Sequence, residues 1–315
     1  MIRKAIKRAA APIIDTLAFR KAQRLLTGDR IFFNRFQYAG AARTLARLIT
    51  RENMAPMIID PSGDCFVITH DGFYLYFNPH FDNGMTYGDG QSFDARHKQY
   101  GVEFPERFLL ENLADGMTYC DIGANNGYYY ALKAARLRPG CRVVAVEPDR
   151  KILPHLNKNA ERNGVRSNLE IAATALGHTT GTAHMTADLG ASGFVVPEGG
   201  ARAGLTQTPI DTFDNFARAR GLDRVDFIKV DIEGFEYNFL LGAQQALERF
   251  RPVLIMEWED SHLRRAGASA DSVLQLLKSR NYCVYAAAAT SDIIAAPPEK
   301  QDALKLLDAG DLKRI

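Results

Sequence analysis

Cysteine is scarce in this 315-residue chain: Cys65, Cys120, Cys141 and Cys283 stand far apart, with no C-x-x-C spacing. That pattern argues against a zinc site and fits a reducing, cytoplasmic setting. Long apolar runs are also missing, since none approaches the roughly 18 residues of a membrane span. Nor is there a surplus of one charge: 39 Lys and Arg face 37 Asp and Glu, and a net charge of +2 gives no global field for nucleic acid. The first residues carry Arg3, Lys4, Lys7 and Arg8 without the long apolar core of a secretory signal. What remains is a chain 46% hydrophobic, enough for one large α/β domain, expected over residues 101–315, and a smaller appendage over residues 1–100.

The most informative stretch runs from Met117 to Asp149. A short apolar run ending in Asp121 reads as a buried strand, and the turn Gly123-Ala124-Asn125-Asn126-Gly127 follows it. A helix over residues 128–137 and a second buried strand, Cys141 to Val146, complete a β-loop-α-β unit that delivers Glu147. Glu147 stands about 20 positions after the last glycine, the spacing that sets a carboxylate on a ribose diol. A dinucleotide pyrophosphate wants G-x-G-x-x-G, and this turn lacks it. A carboxylate directly before the turn would repel a pyrophosphate but suits a ligand carrying an ammonium and a sulfonium, namely S-adenosylmethionine (SAM). Asn125, where a middle glycine might sit, tolerates positive φ. Asp121, Gly123, Ala124, Asn125, Asn126, Gly127 and Glu147 are therefore the expected cofactor-binding residues. The plain alternative is an ordinary strand-to-helix turn with a solvated Glu147.

The second informative stretch is Val225-Asp-Phe-Ile-Lys229-Val-Asp231-Ile-Glu233-Gly234-Phe-Glu236. Strand alternation sets Lys229 and Asp231 on one face, where burial of either charge alone is costly. Further on, Arg251-Pro-Val-Leu-Ile-Met256 reads as a buried strand ending in Glu257-Trp258-Glu259-Asp260-Ser-His262. Asp231, Glu257, Lys229 and His262 are the expected catalytic residues, with His70, His80 and His97 as other candidate bases. Carboxylates are hard oxygen ligands, so Asp231 and Glu257 are also candidate ligands for Mg²⁺.

Elsewhere the reading is coarser. Residues 1–25 are basic and helical in pattern, which suits a helix packed on the body or a peripheral membrane contact. Cys65–Thr69 and Phe73–Phe77 flank Asp71-Gly72 and predict a β-hairpin. The aromatic-rich segment from Phe73 to Tyr100 suits a cover over the substrate pocket. Helices are expected over residues 103–113, 151–162 and 270–279, and strands over 169–176, 182–186, 282–288 and 293–296. Residues 187–204 read as a loop, a helix follows Thr208–Phe213, another runs from Gly234 to Leu247, and a short polar helix ends the chain.

These residues resemble the FkbM family of SAM-dependent methyltransferases. The resemblance rests on Asp121-Ile-Gly-Ala-Asn-Asn-Gly-Tyr128, on Val146-Glu147-Pro148, on Ile228-Lys-Val-Asp-Ile-Glu-Gly-Phe-Glu236 with Leu241-Gly-Ala243, and on the strand-end Glu257. It covers roughly residues 103–260. It implies a Rossmann-like methyltransferase fold with a mostly parallel seven-stranded sheet and an antiparallel final strand, here carrying an N-terminal helical and β-hairpin extension. It also implies O-methylation of a hydroxyl on a saccharide, glycoconjugate or secondary metabolite. A nucleotide-dependent oxidoreductase on a similar fold and a non-catalytic membrane-associated adaptor are the alternatives.

Overall fold

The computed structural model describes residues 57–60, 62–77, 103–186, 195–196, 205–288, 290–307 and 310–315. The basic segment 1–25, residues 78–100 of the aromatic segment with His80 and His97, and most of the loop 187–204 lie outside them. The chain divides into two compact units, residues 1–101 and 102–315.

The described part of the first unit is a three-stranded antiparallel sheet, β1 (Met57–Ile59), β2 (Cys65–Ile68) and β3 (Tyr74–Phe77). The hairpin expected from Asp71-Gly72 is present. Thr69 braces its turn, donating its N–H to the Phe73 carbonyl while its hydroxyl accepts from the Phe73 N–H. Phe66, Phe73 and Leu75 are buried.

The second unit is built on an eight-stranded sheet. Its strands are β4 (Thr118–Ile122), β5 (Arg142–Val146), β6 (Leu169–Ala172), β11 (Phe227–Val230), β12 (Val253–Glu257), β13 (Cys283–Ala287), β14 (Asp292–Ala296) and β15 (Leu312–Arg314), in the order β15-β13-β14-β12-β11-β4-β5-β6. The five from β6 to β12 are mutually parallel, and β14 enters antiparallel between β12 and β13. This is the Rossmann-like arrangement with its reversed strand, extended by one edge strand beyond the seven expected. The parallel strands read as near-continuous apolar runs because both faces of the sheet are covered.

Helices α1 (Phe104–Asn112), α2 (Ala131–Leu137) and α3 (Leu153–Arg162) accompany the first three strands in sequence. They are followed by α4 (Phe213–Ala219), α5 (Glu236–Gly242), α6 (Gln244–Phe250), α7 (Asp260–Arg265) and α8 (Ala270–Ser279). Alternate positions of the strands, Cys120, Ile122, Ile228, Val230, Leu254 and Met256, join Phe213, Phe239, Leu240, Leu247 and Leu277 in the main core. The opposite alternation leaves Tyr119, Asp121 and Lys229 to the other face.

Several expectations need correcting. The strand expected over 169–176 breaks at Ala173-Thr174, and β7 (Ala175–Leu176) leaves for a second sheet with β8 (Gly181–Met185), β9 (Val195–Val196) and β10 (Thr206–Asp211). Strand β10 was hidden by Pro209, which suggests an irregular lead-in to a helix. The helix expected from Gly234 to Leu247 is two helices meeting at Ala243. The chain end holds a 3-10 turn, Pro298–Ala303, and β15 rather than one polar helix.

Helices α1 and α2 share a buried ion pair, Lys133 Nζ to Glu106 Oε1 at 2.7 Å, with Lys133 Nζ also 4.5 Å from the Tyr128 ring centre. Removing one partner takes away the ion pair that offsets the other's buried charge. Glu106→Leu should cost about 3–5 kcal/mol in urea denaturation, and adding Lys133→Met should recover much of it. Equal stability of the single variant and the native chain would show that the pair contributes nothing.

Candidate active site

In an open parallel sheet, ligands bind beyond the carboxyl ends of the strands at the point where the strand order reverses. That point lies between β4 and β11. Asp121 is the penultimate residue of β4, Glu147 directly follows β5, Asp231 directly follows β11, and Glu257 ends β12. Four sequence-predicted carboxylates are thus brought to one edge of the sheet.

The turn after β4 is held tightly. Gly123 and Ala124 both donate N–H bonds to the Val146 carbonyl. Gly123 has φ +84°, and a Cβ there would overlap the Asp231 carbonyl oxygen, so only glycine lets the two loops meet. Asn125 has φ +51° and donates its N–H to Glu147 Oε2 at 2.8 Å. Asp149 donates its N–H to the other oxygen, also at 2.8 Å. Asn126 is anchored through its carbonyl to Asn159 Nδ2, and its side chain accepts from the Tyr128 N–H. The helix begins at Ala131 rather than Tyr128, because Asn126 to Tyr130 are spent on this loop. Asp121, Gly123, Ala124, Asn125, Asn126, Gly127 and Glu147 therefore form one continuous lining.

Asp121 is almost wholly buried; its Oδ2 makes no hydrogen bond of ordinary length among the described residues, and the Tyr119 hydroxyl, likewise unsatisfied, is its polar neighbour. Burial pushes its carboxyl up to about 7, opposed by the Lys229 ammonium and reinforced by Asp231. Burial also pushes Glu147 up to about 7, against the two backbone N–H groups that favour its charged form. A buried, unpaired carboxylate oxygen beside a glycine turn, with a second carboxylate on the next strand, fits a ligand with an ammonium at one end and a diol at the other. SAM is such a ligand.

Lys229 lies 2% exposed, with Nζ 2.9 Å from Asp292 Oδ1 and 3.4 Å from Asp231 Oδ2, and 5.3 Å from the Tyr130 ring centre. Burial alone would lower its pKa, but the Asp292 and Asp231 charges outweigh it and hold the ammonium well above its ordinary value. The Lys229–Asp231 pair expected from strand alternation is present as the longer of the two contacts. Asp231 keeps 45% of its side chain exposed.

On the far side, His262 Nδ1 stands 3.3 Å from Glu257 Oε2 and 3.7 Å from Glu233 Oε2. Glu257 is pushed up to about 7 by burial and then by Asp231, Glu236 and Glu233, with the His262 hydrogen bond opposing. Glu233 takes φ +59°, and the next residue, Gly234 at φ +104°, abuts the His262 backbone so closely that a Cβ would overlap its carbonyl. The donor atoms of Glu233, Glu257 and His262 lie within 4.8 Å of one another, the group of that kind among the described residues. Asp231, expected as a metal ligand with Glu257, is not part of it, because its carboxylate is turned to Lys229. Glu259 and Asp260 act as helix caps and surface partners: Glu259 accepts from Ser261, and Asp260 pairs with Arg264. His70 is an exposed residue of the hairpin turn in the first unit.

Tyr130 and Asp292 are not singled out by the sequence, whereas strand alternation extends the polar face of Lys229 and Asp231 to Glu233. Asp292 carries no such signal, because its place beside Lys229 depends on β14 entering between β12 and β13.

The fold and this edge define a Rossmann-like SAM-dependent methyltransferase. The methyltransferase FkbM domain matches residues 121–284, and the chain belongs to that family. It is 26% identical to the methyltransferase sdnD of Sordaria araneosa over 186 residues, 49% of this chain and 71% of that one. A crystal structure of methyltransferase FkbM from Methylobacillus flagellatus is similar at 21% identity and a TM-score of 0.44, covering 62% of this chain. The match spans 49% of that protein, about half its length. An O-methyltransferase from Bacillus cereus in complex with SAH is similar at 18% identity and a TM-score of 0.39, covering 62% of this chain and 79% of that one. Among the described residues no helix is long and apolar enough to cross a membrane.

Asp121, Glu147 and Glu257 each have folded pKa values near 7, above the ordinary carboxylate value of about 4. Between about pH 4 and 7 the folded state then binds more protons than the unfolded one. Their contribution is full below about pH 4 and is lost as pH rises towards 7. Asp121→Asn should remove one such group and flatten that part of the pH–stability curve measured by urea denaturation. An unaltered slope would show that Asp121 titrates as an ordinary aspartate.

Proposed function

We propose that the chain is an O-methyltransferase whose acceptor is a hydroxyl of a saccharide, glycoconjugate or other secondary metabolite. The observation that carries this reading is the His262–Glu257 contact at the edge where the cofactor turn meets Asp231. An alcohol must lose its proton as its oxygen takes the methyl group, so the protein has to supply a base and an orienting acceptor. When bound, SAM supplies an electrophilic methyl group on a sulfonium.

The residues divide the work by position. Asp121, with its free inner oxygen, receives the ammonium of the methionine end. Gly123, Ala124, Asn126 and Gly127 form the wall of the turn, and Asn125 fixes Glu147, whose remaining lone pairs receive the ribose diol. Asp231 orients the acceptor hydroxyl, and Lys229 holds Asp231 in place. His262 is the base: with Nδ1 turned to Glu257 and Glu233, its ring offers the lone pair of Nε2, and both carboxylates stabilise the imidazolium that forms.

A second reading is a divalent cation held by Glu233, Glu257 and His262. A histidine beside two carboxylates suits Mn²⁺, Fe²⁺ or Zn²⁺ better than the Mg²⁺ expected from carboxylates alone. A peripheral membrane contact through residues 1–25 is a separate proposal, tested by liposome binding of the chain with and without them.

Glu147→Ala should weaken SAM binding roughly tenfold to a few hundredfold, the loss of two charge-assisted hydrogen bonds. Because Glu147 also accepts from Asn125 and Asp149, Glu147→Gln should lie between Ala and the native chain. Calorimetric SAM affinity unchanged in a folded Glu147→Ala protein would remove Glu147 from the site.

The acceptor side is tested with radiolabelled SAM and a panel of hydroxylated acceptors, sugars first. His262→Ala and Glu257→Gln should each lower turnover about 10²- to 10⁴-fold with SAM affinity nearly unchanged, and Asp231→Asn should also lower it strongly. Full turnover in His262→Ala would sink the base assignment. Turnover lost in EDTA and restored by Mn²⁺ would favour the cation reading over the metal-free one.

A further inference from the structure

Lys229 poses a problem of competition. Its ammonium is buried among three carboxylates, Asp121, Asp231 and Asp292. Asp121 is its register partner on the adjacent strand β4, and its buried Oδ2 makes no hydrogen bond of ordinary length, its neutral polar neighbour being the Tyr119 hydroxyl. An unpaired carboxylate oxygen and an ammonium on neighbouring strands would ordinarily close on each other. They do not form an ion pair here, and Lys229 Nζ instead lies 2.9 Å from Asp292 Oδ1 and 3.4 Å from Asp231 Oδ2. Asp292 is the first residue of β14, directly opposite Glu257 in the antiparallel register, and its side chain is 14% exposed. It lies beyond residues 121–284, the stretch matched by the family's domain.

We propose that Asp292 is a positioning residue that holds the Lys229 ammonium away from Asp121, so that the inner oxygen of Asp121 stays free for the ammonium of SAM. This inference rests on the placement of the SAM methionine end at Asp121 given above. The physical basis is a difference in partners. With Asp292 in place, the strongest hydrogen bond of Lys229 points away from the cofactor turn, towards β14. Without it, Lys229 keeps a longer contact to a half-exposed Asp231, and the buried oxygen of Asp121 becomes the best remaining acceptor. An intramolecular ammonium would then occupy the place the ligand's ammonium needs.

The test compares two ligands on the same purified chain. SAM carries the adenosine and the amino-acid end, whereas 5′-methylthioadenosine carries the adenosine without ammonium or carboxylate. In Asp292→Asn, the calorimetric Kd for SAM should rise about tenfold, while that for methylthioadenosine stays within about twofold. Unchanged SAM affinity, or an equal loss for both ligands, would overturn the proposal, the second outcome marking a general distortion of the pocket. The double variant Asp292→Asn/Lys229→Gln removes the competing ammonium as well. It should regain most of SAM's advantage over methylthioadenosine, and it supplies the measurement if the single variant does not fold. Failure to regain that advantage would also overturn the proposal. Asp121→Asn separates the two levels of the argument. If it leaves SAM's advantage intact, the placement of SAM at Asp121 fails and this inference fails with it. If it abolishes that advantage while Asp292→Asn does not, the positioning role alone fails.

Discussion

A buried ammonium has to be answered by carboxylates, and the site depends on how Lys229 is answered. Desolvation of one charge in a protein interior costs several kcal/mol unless a partner lies within hydrogen-bond reach. Lys229 has two, and its own pKa is raised despite burial, so attraction wins there. For Asp121, Glu147 and Glu257 the balance goes the other way, and each is pushed up to about 7 chiefly by burial. Burial thus disfavours the charged form of all three. A positively charged ligand entering among them would favour their charged forms, so binding and ionisation reinforce each other.

The backbone is under comparable constraint. Gly123 must be glycine because its neighbour is the Asp231 carbonyl, and Gly234 because its neighbour is the His262 carbonyl. Each close approach ties two loops from different strands, the first joining the β4 and β11 ends, the second joining the β11 end to α7. Asn125 and Glu233, the residues at φ +51° and +59°, sit next to these contacts. Non-glycine residues in that region cost of order 1 kcal/mol or more, and both are used: one aims an N–H at Glu147, the other carries a carboxylate to His262. The loops at the strand ends are thus fixed by mutual contact rather than by regular hydrogen bonding.

Much of this was legible in the sequence because parallel strands write themselves plainly. Buried runs such as Val143–Val146 and Val253–Met256 are each followed directly by a charged residue, Glu147 and Glu257, and in a parallel sheet such residues all reach the same edge. That is why the sequence alone groups Asp121, Glu147, Asp231 and Glu257. The second sheet was harder, since β7 and β9 are two residues each and β10 contains a proline. Burial of Lys229 from both sides could be suspected from alternation, but its preferred partner could not. Asp292 lies 63 positions away in sequence, in an otherwise ordinary Thr-Ser-Asp turn.

The placement of Asp292 follows from the one strand that breaks the parallel order. A sixth parallel strand next to β12 would begin at the opposite edge of the sheet and send its end, not its start, towards the site. Because β14 runs antiparallel, its first residue is level with the last residue of β12, and Glu257 and Asp292 stand opposite each other. The residue that opens β14 is therefore delivered to the same edge as the residues that close β4, β5 and β12. An antiparallel insertion gives that edge a side chain whose backbone arrives from solvent rather than from the core. Asp292 keeps a small exposed fraction, so its carboxylate is cheaper to hold charged than a fully buried one. Its place on the strand makes it a suitable counter-ion for a lysine that has none of that freedom.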